Sequence, residues 1–289
     1  MPSNQTVFGG KEIPAKYSGY DSANVVILPV PYEGTVCYGK GTRFAPARIL
    51  EASRYQEMYD DELGKLNYLC GIATLPALRP AKTPEKMVGM VENACRKELD
   101  NGKFVIMLGG EHSISYGFYL ALKEKYDKLS VIQIDAHADL RDSYTKGHLS
   151  HGCVMRRICE TCNSTAQIGI RSICEEETAY IKDMDKDIYW ARDIIGKSDW
   201  IDEMLNKLSN DVFLTIDVDG FDPSVFPHTG TPEPGGISWY QGLEIFKRIF
   251  SRKNVVGMDL VEVASDKTSR NSEYTAAKLV YRLIGYKFN

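Results

Sequence analysis

The chain has 289 residues, with 35 Lys plus Arg against 39 Asp plus Glu, a formal charge of −4. Apolar residues make up 43% and charged residues 26%, ordinary globular usage that excludes collagen-like, disordered and low-complexity classes. The near-balanced charge also lacks the basic excess of a dedicated nucleic-acid binder. Taken in chain order, short β-rich apolar runs fall at 25–30, 104–108, 131–134, 167–170, 212–216 and 255–260. Each is too short for a typical helix and rich in Val and Ile. Helical stretches are expected at 84–99, 114–126, 175–183, 199–208 and 239–250, with a closing helix at 273–284. Strands alternating with helices imply a mostly parallel sheet covered on both faces, a three-layer α/β/α arrangement in a single domain over 1–289.

No apolar run approaches the roughly 20 residues needed to span a bilayer. The N-terminus shows no basic segment followed by an apolar core, so no signal peptide is expected. Seven cysteines without framework spacing fit a reduced, cytoplasmic setting. The Cys159-Glu160-Thr161-Cys162 pair stands alone, whereas structural zinc wants four ligands. The acidic triplet Glu175–Glu177 reads as a solvated helix start, favoured by the helix dipole.

Ligands of open α/β sheets bind at the carboxyl ends of the strands. The residues after the apolar runs therefore matter most. Run 104–108 leads into Gly109-Gly110-Glu111-His112-Ser113, and run 131–134 into Asp135-Ala136-His137-Ala138-Asp139. Run 212–216 leads into Asp217-Val218-Asp219-Gly220, and run 255–260 into Val261-Glu262. On extended backbone, side chains at i and i+2 point the same way. Asp217 and Asp219 can then converge, as can Asp135, His137 and Asp139. Like charges brought so close suppress one another's ionisation, and bound cations remove that cost. Oxygen-rich donors with some imidazole suit hard or borderline divalent ions, Mn²⁺ among them. Asp135, Asp139, Asp217 and Asp219 carry −4, two divalent ions +4, and a bridging hydroxide would leave the cluster near −1.

The motifs GGEHS (109–113), DAHADLR (135–141), SHGC (150–153), DVDGFDPSVFPHTGTPEPGG (217–236) and VEV (261–263) resemble the arginase/agmatinase (ureohydrolase) family. The segment at 29–53 is similar to the agmatinase branch. The resemblance runs from about residue 25 to residue 281. It implies an arginase-like fold, two Mn²⁺ ions per subunit, a small guanidino substrate, no nucleic-acid or membrane partner, and a homo-oligomer, trimer or hexamer. By the same resemblance, His112 binds one ion and His137 the other. Asp135 and Asp219 each ligate and can bridge, Asp139 ligates and meets the bridging hydroxide, and Asp217 bridges both ions. His151 corresponds to a proton-shuttling histidine, and Glu262 to the carboxylate that grips the guanidinium. A carboxylate fits that task because guanidinium offers a planar fork of N–H donors.

The implied reaction is hydrolysis of agmatine to putrescine and urea by attack of the metal-bridging hydroxide. Arginase or guanidino-acid ureohydrolase activity is the alternative, the guanidino acid being favoured if Arg141 or Lys146 faces the pocket. More distant alternatives are a zinc amide deacetylase of related fold and a non-catalytic protein that kept the fold. His148 reads as a loop residue, and His228 as structural or pocket-lining. Asp222 reads as ordering the metal loop. The family often continues VEV with a proline and a Tyr-Asp pair. Here 263–269 departs from that pattern, which bears on substrate preference.

Overall fold

A computed structural model of the chain describes residues 6–183, 187–265 and 268–289. Its main sheet has eight strands in the order β4-β1-β5-β10-β9-β6-β7-β8, and every pair is parallel. The strands are β1 (Val25–Val30), β4 (Ile72–Thr74), β5 (Phe104–Gly109), β6 (Leu129–Ile134), β7 (Ser164–Ile170), β8 (Asp187–Trp190), β9 (Asp211–Asp217) and β10 (Asn254–Val261). A two-stranded antiparallel ribbon, β2 (Tyr59–Asp60) and β3 (Lys65–Leu66), lies outside it.

Alternate strand residues face opposite layers. Ile27, Ile106, Ile132, Leu214 and Met258 pack with α1 (Ala45–Ala52), α7 (Trp200–Asn206), α8 (Trp239–Arg252) and α9 (Asn271–Lys287). Val26, Val105, Val131, Phe213 and Val256 pack with α2 (Pro84–Asp100), α3 (Ser115–Lys125) and α4 (Val154–Cys159). Sequence periodicity explains the long helices. In α2, Thr83 caps the first turn, Pro84 sits where its missing N–H costs nothing, and Met87, Val91, Cys95 and Leu99 form one buried stripe.

The six expected strands and six expected helices are all present, shifted by a few residues at their ends; α5 is Glu175–Asp183. Missing from the sequence expectation are β4, β8, the ribbon, α1, α4 and the short helix α6 (Ala191–Ile194). The two missed sheet strands are the outermost ones; β4 is only three residues long, and β8 is four residues long and only half-buried. Between β5 and β6 the chain skips two strand positions, later filled by β10 and β9. The four adjacent central strands, β5-β10-β9-β6, therefore share one carboxyl edge, where a binding crevice is expected. No helix among the described residues is long and apolar enough to cross a membrane.

Candidate metal centre and active site

Each central strand delivers its residues to that edge. After β5 the chain turns at His112–Ile114; after β6 it runs through Asp135, His137 and Asp139. β9 ends on Asp217 with Asp219 two residues on, and Glu262 directly follows β10. Two glycines allow the close approach. A Cβ on Gly110 would run into the Tyr32 carbonyl, and one on Gly220 would lie 2.6 Å from the Asp135 nitrogen. Asp139 (φ 54°) and Glu262 (φ 64°) both occupy the left-handed region that non-glycine residues avoid. Backbone strain of this kind, about 1–3 kcal/mol each, gathers at functional sites.

The structure brings His112, His137, Asp135, Asp139, Asp217 and Asp219 together. His112 Nδ1 lies 3.1 Å from Asp135 Oδ2, 3.1 Å from Asp139 Oδ2 and 3.5 Å from Asp217 Oδ2. His137 Nδ1 lies 3.0 Å from Asp219 Oδ2 and 3.7 Å from Asp135 Oδ1. Two compact donor groups result, His112/Asp135/Asp139 and Asp135/His137/Asp219, with Asp135 common to both. Asp135 is one of the two carboxylates expected to ligate and to be able to bridge. Asp217 lies beside His112 and accepts the Asp219 backbone N–H through Oδ1 at 2.9 Å.

Burial and mutual repulsion set the proton balance. Burial, with Asp135 alongside, pushes Asp139 up to about 7. Burial and neighbouring carboxylates also raise Asp217 and Asp219. Asp135 is lowered, because the imidazoles of His112 and His137 outweigh its burial. Burial opposes the charged form of His137, yet Asp219 and Asp135 raise it to about 12. The same contest raises His112, where Asp135, Asp139 and Asp217 win over burial. Without cations, then, this cluster holds extra protons. His112 Nδ1 is buried, has no hydrogen-bond partner, and faces two carboxylate oxygens. That unpartnered nitrogen and the oxygen-rich donor set fit a divalent ion.

Around the donors is a cavity of about 250 Å³. His112, His137, Asp139, Asp217, Asp219 and Glu262 line it, with His151, Tyr144 and Arg141 on the wall and exposed Tyr38 at the rim. Glu262 Oε1 accepts the His112 backbone N–H at 2.6 Å, and Oε2 lies toward Gly230. Burial and the Glu111 charge raise the Glu262 carboxyl. Thr35 holds His151 twice, accepting its backbone N–H at 3.0 Å and meeting Nδ1 at 3.1 Å. Glu111 anchors Thr35 in turn, accepting its N–H and its hydroxyl at 2.6 and 2.7 Å. Burial lowers the His151 imidazole below its ordinary value, which keeps it neutral at pH 7.

Several partners of the site escaped the sequence reading. Gln167, Gln133, Thr215 and Asp259 sit in register across β7, β6, β9 and β10, and all four are fully buried. Gln133 donates to Asp135 Oδ2 at 2.7 Å, and Gln167 donates to Gln133 Oε1 at 2.5 Å. Thr215 links His112 to Asp259, whose carboxyl burial raises to about 6. Polar residues inside otherwise apolar strands were the signal. Arg171 gives its guanidinium to the carbonyls of Gly169, Asp219, Gly220, Phe221, Glu233 and Pro234, tying together the loop that carries Asp219.

Other expectations resolve singly. His148 is exposed, with Nδ1 at 2.8 Å from the Asp142 carbonyl. His228 is tied through its backbone to Ser272 and Ala264. Asp222 accepts N–H groups from Ser224, Gly235 and Gly236 and so orders its loop. Glu177 corrects the solvated-triplet reading. It is 4% exposed, because its carboxylate accepts the N–H groups of Leu140 and Cys174, while Glu175 and Glu176 stay exposed. Arg141 lines the cavity, stacked 4.5 Å over the Tyr144 ring, whereas Lys146 is exposed. Asp266 and Lys267, within the departing 263–269 stretch, lie outside the described residues.

The model of the Arginase family matches residues 23–285. The chain belongs to the arginase family. Among its arginase-family relatives is the N(1)-aminopropylagmatine ureohydrolase of Synechocystis sp., 42% identical over 93% of this chain and 90% of the relative. The agmatinase of Bacillus anthracis is 37% identical over 89% of each chain. Among solved structures, the agmatine ureohydrolase of Thermoplasma volcanium superposes with a TM-score of 0.87 at 30% identity, covering 96% of this chain and 94% of its own. The arginase-family assignment also agrees with the parallel sheet and its flanking helices.

Proposed function

We propose that the protein hydrolyses the guanidino group of a linear alkylamine, with agmatine or its N1-aminopropyl derivative as substrate, releasing urea. Hydrolase chemistry at guanidino C–N bonds goes with the arginase family. From agmatine and water the products are putrescine and urea. The observation that carries this reading is the pair of donor groups sharing buried Asp135, whose His112, His137, Asp139 and Asp219 line one cavity with Glu262. His112, Asp135, Asp139 and neighbouring Asp217 would hold one ion, and Asp135, His137 and Asp219 the other; Mn²⁺ suits such donors. When bound, two such ions would supply Lewis acidity and lower the pKa of water at the site.

The chain's own residues do the rest. Glu262 offers Oε2 to the guanidinium and fixes its plane through charge-assisted hydrogen bonds. Asp139, beside His112 at the donor cluster and lining the cavity, would take a proton from water and pass it to the departing amine. His151 is neutral, partly exposed and held by Thr35, which suits exchange of protons with solvent. The names of the 42% and 37% identical relatives support the two amine substrates. A homo-oligomer, trimer or hexamer, in the cytoplasm completes the proposal, and light scattering would measure the assembly.

One observation favours a second reading. Arg141 on the cavity wall places a cation where a substrate tail would emerge, which suits a guanidino acid such as guanidinobutyrate. The test is urea release from agmatine, N1-aminopropylagmatine, arginine and guanidinobutyrate with added Mn²⁺. The amines should lead in kcat/KM. Turnover of guanidinobutyrate alone would move the assignment to the acid, and no urea from any substrate would remove it.

A further inference from the structure

A buried carboxylate in the middle of an apolar strand is costly unless its hydrogen bonds are spoken for. Asp259 is such a group, fully buried in β10 between Met258 and Leu260 and absent from the cavity lining. Its partner across the sheet is Thr215, in register on β9. The hydrogen bonds run in one direction. Thr215 has a single hydroxyl proton and donates it to Asp259 Oδ1 at 2.7 Å. Only its lone pairs remain for His112 Nε2, 2.9 Å away. Nε2 must then be a donor, and Nδ1 is the nitrogen left to meet a cation, 3.1 Å from both Asp135 and Asp139.

We propose that Asp259, acting through Thr215, is a positioning residue for metal loading: it fixes the His112 ring with Nε2–H toward the sheet and Nδ1 presented to the carboxylates. This rests on the reading of the cluster as a metal centre. The logic is that of a metal-bound histidine whose second nitrogen is held by a hydrogen bond, which fixes ring orientation and protonation. Two features distinguish it from simple core packing. The polar atoms of the row point from strand to strand toward His112, and the neighbouring Gln167–Gln133 pair does the same for Asp135. The row lies on the face packed by Val131 and Phe213, where aliphatic residues would otherwise complete the layer.

The experiment is a Mn²⁺ titration of the full chain, after chelation, by calorimetry and by metal content after dialysis. Thr215→Val keeps the shape and removes the hydroxyl. Thr215→Ser restores the hydroxyl, and Asp259→Asn replaces the accept-only carboxylate with an uncharged amide whose NH2 can donate to Thr215 and free its hydroxyl proton for Nε2. We expect Thr215→Val and Asp259→Asn to bind Mn²⁺ about 10–100-fold more weakly, and Thr215→Ser to stay close to the unaltered chain. The melting temperature of each chelated chain separates folding from loading. If Thr215→Val fails to fold, Asp259→Asn carries the comparison. Unchanged Mn²⁺ affinity in both variants, or a loss in Thr215→Ser as large as in Thr215→Val, would overturn the proposal. An unaltered chain that takes up no Mn²⁺ would overturn the metal-centre reading and this inference together; one that binds beside unaffected variants would overturn this inference alone.

Discussion

Because Asp135 belongs to both donor groups, one substitution should empty two sites. Asp135→Asn reduces each three-residue group to two and removes a charge from both. His137→Asn touches one group only. Loss of even an outer hydrogen-bond partner weakens metal binding about 10–100-fold, so about 100-fold per affected site is a floor for a direct donor. Take free Mn²⁺ at about ten times the dissociation constant. Simple saturation then gives about 0.9 ion per site in the unaltered chain, or about 1.8 per chain. An affected site falls to about 0.1 by the same relation. His137→Asn should therefore hold about 1.0 ion per chain and Asp135→Asn about 0.2. Elemental analysis of protein equilibrated against buffered Mn²⁺ reads these values directly. If Asp135→Asn keeps about one ion while Asp217→Asn loses both, the shared carboxylate is Asp217 and the geometric argument fails.

Other outcomes follow from the same structure. Asp139, Asp217 and Asp219 are pushed up and the imidazoles of His112 and His137 are raised, so metal must displace protons from the cluster. Protons compete more strongly as pH falls, so Mn²⁺ affinity should fall throughout the range below about 12, the His137 value, and more steeply below about 7, where Asp139 also holds a proton, by about tenfold per pH unit for each proton released. A pH-independent titration would contradict that. Glu262→Gln should keep its metals and lose about 1.5–3 kcal/mol of substrate interaction, roughly 10–150-fold in kcat/KM. Loss of metal in that variant would show that Glu262 acts as a ligand instead. Arg171→Met strands the carbonyls of the Asp219 loop, each unmet group costing about 1–3 kcal/mol before water enters. A denaturant midpoint unchanged within error would refute the clamp.

The strands and the residues at their ends were legible for one reason. Buried parallel strands read as short apolar runs rich in Val and Ile, and the chemistry-bearing residues follow at their carboxyl ends. The i, i+2 spacing of Asp135, His137 and Asp139 implied convergence but not which carboxylate belongs to both donor groups. That follows from the distances of Asp135 to His112 and to His137. Thr215, Asp259, Gln133 and Gln167 were invisible because a lone polar residue in an apolar run acquires meaning only when register aligns it with others. Glu177 was misread because helix-start acids are usually solvated; here it accepts the Cys174 N–H just ahead of its own helix, and the path of 139–141 past α5 brings it the Leu140 N–H. Side-chain direction in loops, as for Arg141, is likewise set by neighbours such as Tyr144 and not by spacing.

The central claim is that this cavity cleaves a guanidino-alkylamine. Urea measured from agmatine and from N1-aminopropylagmatine, with the chain first chelated and then reloaded with Mn²⁺, tests it most directly. No urea is expected before reloading, and turnover afterwards should rise with metal content up to two ions per chain. Urea release that persists in the chelated chain, or a fully loaded chain that releases none from either amine, would contradict it.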